Sequence, residues 1–407
     1  MKANVIRTFV VQILIDKQIR LCCNLEQKKR KMNIFSFFSG AGFLDLGFET
    51  QGHFNVVFVN EFHKAFNDVY QYARKNMNLP MPIYGHHVED ITLYLDAEHQ
   101  ERLAALKAMV EESKAHKLTG FIGGPPCPDF SVAGKNRGRN GDNGRLSGTY
   151  ASLICEAMPD FFLFENVKGL YRTARHREFF EELKQQFREH GYYLTERLIN
   201  SLEYGAPQDR DRIILIGFHQ SAVNRLHLPV QDNMLKDFPW DNHKLYNLED
   251  IKKLPWPGVE PYHEGIMTNM PEGIIEQLTV QYWWNRNDVM HHPNADMYFQ
   301  PRAGLYRFQT KDEGDVARKC YKRLHRWRYS PTAAYGNNEV HVHPYLPRRI
   351  SAAEALAIQS LPPEFVLPPT ISLTDAFKTI GNGVPYVAAH AIANTIYDYI
   401  HQHNPAL

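Results

Sequence analysis

Between Asn33 and about residue 220 the chain alternates short β-rich apolar runs with amphipathic stretches, and that rhythm leaves few architectures open. It is the pattern of a mostly parallel sheet covered by helices, an α/β body. The runs predict strands from Ile34 to Phe38, Asn55 to Asn60, Gly120 to Ile122, Phe161 to Phe164, Tyr192 to Ile199 and Arg212 to Phe218. Apolar residues at three-and-four spacing predict helices from Phe62 to Asn76, Glu98 to Lys114 and His176 to His190.

After Phe218 the rhythm stops. Residues 221 to about 345 are rich in Pro, Asn, His and aromatics, among them Trp256, Trp283, Trp284, Tyr298, Phe299, Tyr306 and Phe308, with weak periodicity. A helical pattern returns from Ser351 to Ser360, where Ser351 and Glu354 make a capping box, and again from about Val384 to His401. With 407 residues, 43% hydrophobic and 22% charged, the chain can hold a large body interrupted by an insertion. The expected division is an N-terminal extension (1–32), a main body (33–220), an inserted domain (221–370) and a return to the body (371–407). In the extension, Val5 to Ile15 is broken by Arg7 and Thr8 and lacks a small-residue cleavage site, so it does not read as a secretory signal. Met32 directly precedes the first strand, which suits an upstream reading-frame addition, and the extension takes no function here. No apolar run approaches the ~20 residues that cross a bilayer. Five cysteines without CxxC spacing argue against a disulfide framework and for a reducing cytoplasm. Lys and Arg total 46 against 45 acidic residues, so only local charge clusters bear on a nucleic-acid partner.

Open α/β folds put ligands at the carboxyl ends of strands, and four segments fall there. Phe38-Ser39-Gly40-Ala41-Gly42 follows the first strand; its glycines allow close backbone approach, and the helix after them favours polar or anionic groups. Alone it is equally a tight turn, but Glu61 closes the second strand, the place of the acidic residue that takes a ribose hydroxyl. A nucleoside-bearing cofactor is then the better reading. Gly123-Gly124-Pro125-Pro126-Cys127-Pro128 follows the third main strand, and its prolines hold one sulfur in a fixed direction. A structural cysteine belongs inside a strand or helix, so Cys127 reads as a nucleophile and Cys22, Cys23, Cys155 and Cys320 do not. Glu165, after four apolar residues, is expected to be partly desolvated, which favours a protonated carboxyl. Its bland alternative is a solvated strand end. Arg210 and Arg212, two apart in an extended segment, read as paired donors to a polar ligand or as ion-pair partners of Asp209 and Asp211.

The ordered set FxGxG, Pro-Pro-Cys, Glu-Asn-Val, Gln-x-Arg-x-Arg and a late Gly-Asn-Gly-Val resembles the cytosine-5 DNA methyltransferases, the bacterial type that accompanies restriction enzymes. The likeness spans residues 33–220 and about 345–407. It implies a Rossmann-like S-adenosylmethionine-dependent methyltransferase fold with a mostly parallel sheet and a smaller, irregular target-recognition domain. It implies S-adenosyl-L-methionine as cofactor, with Phe38, Gly40 and Gly42 lining its site and Glu61 on the ribose hydroxyls. Phe62 would lie against the adenine, Asp90 and Ile91 would border it, and Pro126, Leu146 and Asn382 would complete the pocket. Cys127 is assigned as nucleophile, Glu165 as the group on the cytosine ring nitrogen, Arg212 as donor to the base carbonyl and Arg210 as support. Departures from the pattern are Pro128 for Gln, Ser36 for Asp, Phe43 for Gly and Phe62 for Trp, and none removes a catalytic group.

The expected substrate is duplex DNA. Ser131, Lys135, Arg137, Arg139 and Arg145, in and after the cysteine loop, are expected to grip it. Arg318, Lys319, Lys322, Arg323, Arg326 and Arg328, interleaved with Tyr321, His325 and Trp327, form a second basic run expected to contact the DNA backbone. No metal is expected at His341-Val342-His343 or His291-His292, and the other histidines are assigned to the surface. A cognate restriction endonuclease is the expected functional, not physical, partner of a cytoplasmic monomer. The rivals are a transfer-RNA cytosine-5 methyltransferase on the same body and a catalytically silent DNA-binding relative, which the joint presence of Cys127, Glu165 and Arg212 disfavours.

Overall fold

The computed structural model describes residues 31–126, 142–301, 305–336 and 339–405. Its centre is a nine-stranded sheet. The main strands are β1 (Met32–Phe37), β2 (Phe54–Asn60), β4 (Thr119–Gly123), β5 (Phe161–Val167), β6 (Tyr192–Asn200) and β8 (Asp211–His219). Two-residue strands are β3 (His86–His87), β7 (Gln208–Asp209), β9 (Val230–Gln231), β10 (Met234–Leu235) and β11 (Ser330–Pro331). The order is β3-β2-β1-β4-β5-β8-β6-β10-β9, while β7 and β11 pair separately. β1 runs parallel to both β2 and β4, so the strand order switches there and opens a crevice at the carboxyl ends. β8 is inserted antiparallel between β5 and β6.

The sequence dictates this centre directly. Phe161 to Phe164 and Ile213 to Ile216 are unbroken apolar runs with no exposed surface, as strands covered on both faces require. Each such side chain contributes roughly 1.5–3 kcal/mol by leaving water. One face packs Phe48, Phe54 and Val56 against Ile392 and Ile396 of the helix Tyr386–His403. The other packs Phe121, Phe162 and Phe164 against Leu106, Leu153 and Phe187, from the helices Gln100–Lys114, Asp142–Ala157 and Ala174–Glu189. The last helix lies so close on Phe43–Gln51 that a Cβ at Gly47 would sit 2.5 Å from that of Ala389.

Five of the six main strands fall within two residues of the expected bounds, and β5 runs three residues past Phe164 to Val167. Six helices fall outside the expected set: Asp142–Ala157, Gln220–Leu226, Leu248–Lys253, Val280–Arg286, Leu305–Thr310 and Leu373–Asn382. The expected boundary at 220 falls before β9 and β10, which extend the sheet edge beyond β6. A third apolar cluster joins Phe43 and Leu46 of the body to Trp283, Leu356 and Phe377, and the pairing of β11 with β7 ties the inserted region to the segment before Arg210.

Candidate active site

The antiparallel course of β8 brings its first residues to the carboxyl end of β5. Val167 pairs with Arg212 and Glu165 with Ile214, although 47 residues separate Glu165 from Arg212 along the chain. The Arg212 Nε lies 2.6 Å from Glu165 Oε1, and the two side chains are 13% and 11% exposed. Glu165 is therefore shielded as expected, but with the Arg212 guanidinium against it and not as a lone carboxyl. A Cβ at Gly124 would lie 2.6 Å from Glu165 Oε2, so the glycine leaves the space into which this carboxylate fits. The pair thus sits under the Gly123–Pro126 turn that leads to Cys127, which itself lies outside the described residues.

Arg210 does not join Arg212 in facing a ligand. β7 ends at Asp209 and β8 starts at Asp211, so the extended alternation breaks at Arg210. Its guanidinium is buried and donates to the carbonyls of Ala333 (3.1 Å) and Gly381 (3.0 Å) and to Gln208 Oε1 (3.3 Å). Burial lowers its pKa, with Arg212 adding to the effect and Glu165 opposing it. Asp209 and Asp211 pair with Lys252 and Lys168 and not with the arginines.

Beside this pair, at the switch point, Phe38, Gly40 and Gly42 all take positive φ (52°, 56° and 81°). The two glycines do different work. A Cβ at Gly40 would meet nothing within 4 Å, so the loop faces open space there, whereas one at Gly42 would strike the Tyr70 ring at 2.4 Å. Glu61 accepts from Gly40 N and from His63 N, both at 2.8 Å. Burial raises its pKa and those two N–H groups oppose the rise. Phe62 follows with its ring 70% exposed. Asp90 caps the turn Ile91–Leu95, accepting from Thr92 N at 2.9 Å, and Ile91 is buried. Pro126 and Asn382 are exposed and Leu146 is half-buried. The shielded hydroxyls of Ser39 and Ser147 have no hydrogen-bond partner among the described residues. An exposed ring, a carboxylate and orphan hydroxyls around open space fit a ligand with an adenine, a ribose and an amino-acid tail, as S-adenosylmethionine has. Ser36, a departure from the family pattern, donates to buried Asp45 at 2.8 Å.

The second basic run requires correction. Arg323 and Arg326 are 0% and 1% exposed, so neither guanidinium is presented to phosphates. Arg326 holds Glu313 with two bonds (2.9 and 2.8 Å) and the Ile266 carbonyl at 2.6 Å, and Arg323 serves the carbonyls of His343, Leu346 and Phe308. The cause is the irregular backbone of this region. Carbonyls without ladder partners need donors, and one buried guanidinium supplies several. Arg318 is exposed, Lys322 half-buried, and Lys319 pairs with Glu339 at 2.8 Å. Arg145 is exposed on the helix Asp142–Ala157; Ser131, Lys135, Arg137 and Arg139 lie outside the described residues. His341 and His343 are buried, the latter 3.4 Å from Glu354, and no group of three metal-ligating residues forms among the described residues. His176 and His325 are also buried, against the assignment of such histidines to the surface. Sequence reasoning missed the contacts of Gly124, Gln208 and Gln359, which join segments far apart in the chain.

A family model described as C-5 cytosine-specific DNA methylase matches residues 32–398. The Type II methyltransferase M.NmeDI of Neisseria meningitidis serogroup C is 56% identical over 96% of this chain and 89% of its own length. The Type II methyltransferase M.FnuDI of Fusobacterium nucleatum is 30% identical over 90% and 94%. Among solved structures, a prophage-encoded Escherichia coli chain described as a DNA modification methyltransferase superposes with a TM-score of 0.55 at 21% identity, over 91% of this chain and all of that one, which speaks for the fold alone. Among the described residues no helix is long and apolar enough to cross a membrane.

Proposed function

The chain belongs to the C-5 cytosine-specific DNA methylase family and is a DNA (cytosine-5-)-methyltransferase, and from that premise we propose how and on what it acts. It methylates carbon 5 of a cytosine within a short duplex sequence, through a transient bond between Cys127 and an extruded base. The product protects that sequence from a cognate restriction endonuclease, with the methylating chain working as a monomer.

Carbon 5 of cytosine is a poor nucleophile until something adds at carbon 6. The Cys127 thiolate forms that bond, and the electron pair it brings turns the ring into an enamine. Charge then builds on the ring nitrogen and the neighbouring carbonyl. Glu165 holds a proton at the nitrogen and Arg212 donates to the carbonyl oxygen. Because these two side chains are clamped together 2.6 Å apart, they offer donor and acid as one unit with little left to reorganise. The Phe38–Gly42 turn, Glu61, Phe62 and Asn382 would hold S-adenosylmethionine, which would supply an electrophilic methyl group. Once carbon 5 is methylated it loses its proton to solvent, and the thiolate departs by elimination. Unstacking the target nucleotide costs a few kcal/mol, which contacts to the DNA must offset.

The observation that carries this reading is the Glu165–Arg212 pair seated under the Gly124 turn. Duplex DNA containing 5-fluorocytosine, incubated with protein and cofactor, should give a denaturant-resistant adduct that Cys127→Ser abolishes. An adduct that survives Cys127→Ser removes the nucleophile. Bisulfite sequencing of DNA from expressing cells should map one short motif, and labelled methyl entering transfer RNA instead of DNA would reject the duplex substrate.

A further inference from the structure

Where the body, the inserted region and the returning segment meet, three fully buried polar side chains form a closed ring. Gln359 follows the helix Ala352–Ile358 and is 0% exposed. Its Nε2 donates to Ile380 O at 2.5 Å, and its Oε1 accepts from Gln208 Nε2 at 3.1 Å. Gln208 Oε1 accepts in turn from Ala333 N (3.0 Å) and from Arg210 (3.3 Å). Arg210 closes the ring by donating to Gly381 O, one residue beyond Ile380. Two residues the proposed function needs stand at its rim: Arg212, two positions after Arg210, and Asn382, one after Gly381.

Stability alone does not call for such a ring. Exchanging a buried polar network for apolar groups of the same volume is often neutral or better. What hydrogen bonds add is direction. The structure assigns Gln359 as a positioning residue for methyl transfer, setting Arg212 through Gln208 and Arg210, and Asn382 through the carbonyls of Ile380 and Gly381. The inference rests on the roles proposed above for Arg212 and Asn382.

Full-length Gln359→Met keeps the volume and removes both bonds. Its single-turnover methylation rate per folded molecule should fall about tenfold or more, because sub-ångström misplacement of a reacting group costs rates of that order. Its dissociation constant for S-adenosylmethionine, measured by calorimetry, should rise several-fold. Asn294→Ser, which disrupts a buried amide bonded to Leu367 O at 3.0 Å, is the control for lost stability; its rate per folded molecule should match the parent. Should Gln359→Met not accumulate folded, Gln208→Glu keeps the acceptor for Ala333 N and loses the donation to Gln359, and it is read the same way. Parental rate and cofactor affinity in these variants overturn the inference, as does a rate loss shared by Asn294→Ser. Failure of the underlying reading would look different: Arg212→Lys and Cys127→Ser would then keep turnover.

Discussion

Gly124→Ala tests the site where its geometry is tightest. The added methyl would lie 2.6 Å from Glu165 Oε2, whereas ordinary contact starts at 3.4 Å, so the oxygen must retreat by about 0.8 Å. Gly124 is not among the glycines with positive φ, so its backbone accepts alanine without strain. The atom that yields is the far end of a flexible side chain, so the stability cost should stay at the low end of the roughly 1–3 kcal/mol that an extra methylene costs in a packed core. Catalysis should not be so lenient. The retreat pulls the carboxylate from its place against Arg212, and misplacement of about 1 Å costs roughly 10²-fold in rate, equal to about 2.7 kcal/mol of barrier. Single-turnover methylation should therefore fall roughly a hundredfold with cofactor affinity unchanged. Gly124→Ala combined with Glu165→Asp, which shortens the acid by one methylene, should recover part of the loss. Gly148→Ala, where a Cβ meets nothing within 4 Å, should match the parent. Parental rates in Gly124→Ala, or a loss explained by unfolding in a melting curve, would refute the reasoning.

Cys127→Ser should abolish methyl transfer and leave cofactor binding intact by calorimetry; residual turnover would remove the sulfur from the mechanism. Arg326→Ala strands Glu313 and should cost about 3–5 kcal/mol of stability in denaturant melts, without altering the salt dependence of DNA binding by the folded fraction. Arg318→Ala, at an exposed position, should lessen the log–log salt slope by about 0.9 if it meets one phosphate, and an unchanged slope discards that contact. Burial, with help from Lys322 and Arg349, pushes the His341 pKa down to about 3. The stability of keeping it neutral is complete above its unfolded value near 6.5 and is lost as pH falls toward 3. His341→Gln should therefore flatten the acid-side decline of unfolding free energy by about 1.4 kcal/mol per pH unit; equal slopes in both proteins would contradict this.

The strands were legible because β1, β4, β5 and β8 are dense apolar runs that only a doubly covered sheet can bury. The helix Asp142–Ala157 was not, since Gly144 and Gly148 depress its propensity and its formation depends on Tyr150, Leu153 and Ile154 reaching the sheet. Leu373–Asn382 escaped notice although Ser372 caps it in the ordinary way. At the site, motifs named the groups but not their company. Nothing local tells that Gly124 exists to admit a carboxylate 41 residues later, or that Arg210 turns inward while Arg212 turns to Glu165. The run from Arg318 to Arg328 shows the limit most clearly. Basic residues among aromatics look alike whether their donors meet phosphates or stranded carbonyls, and only long-range packing decides which.

The seat of Tyr386–His403 upon Phe43–Gln51 has a bearing on the life of the enzyme in the cell. The helix that follows the proposed cofactor-binding turn leaves the ribosome 335 residues before its apolar cover begins. Until that cover arrives the turn has no rigid floor, and a nascent or prematurely terminated chain should leave the genome unmarked. Competence would thus wait on the making of that one helix.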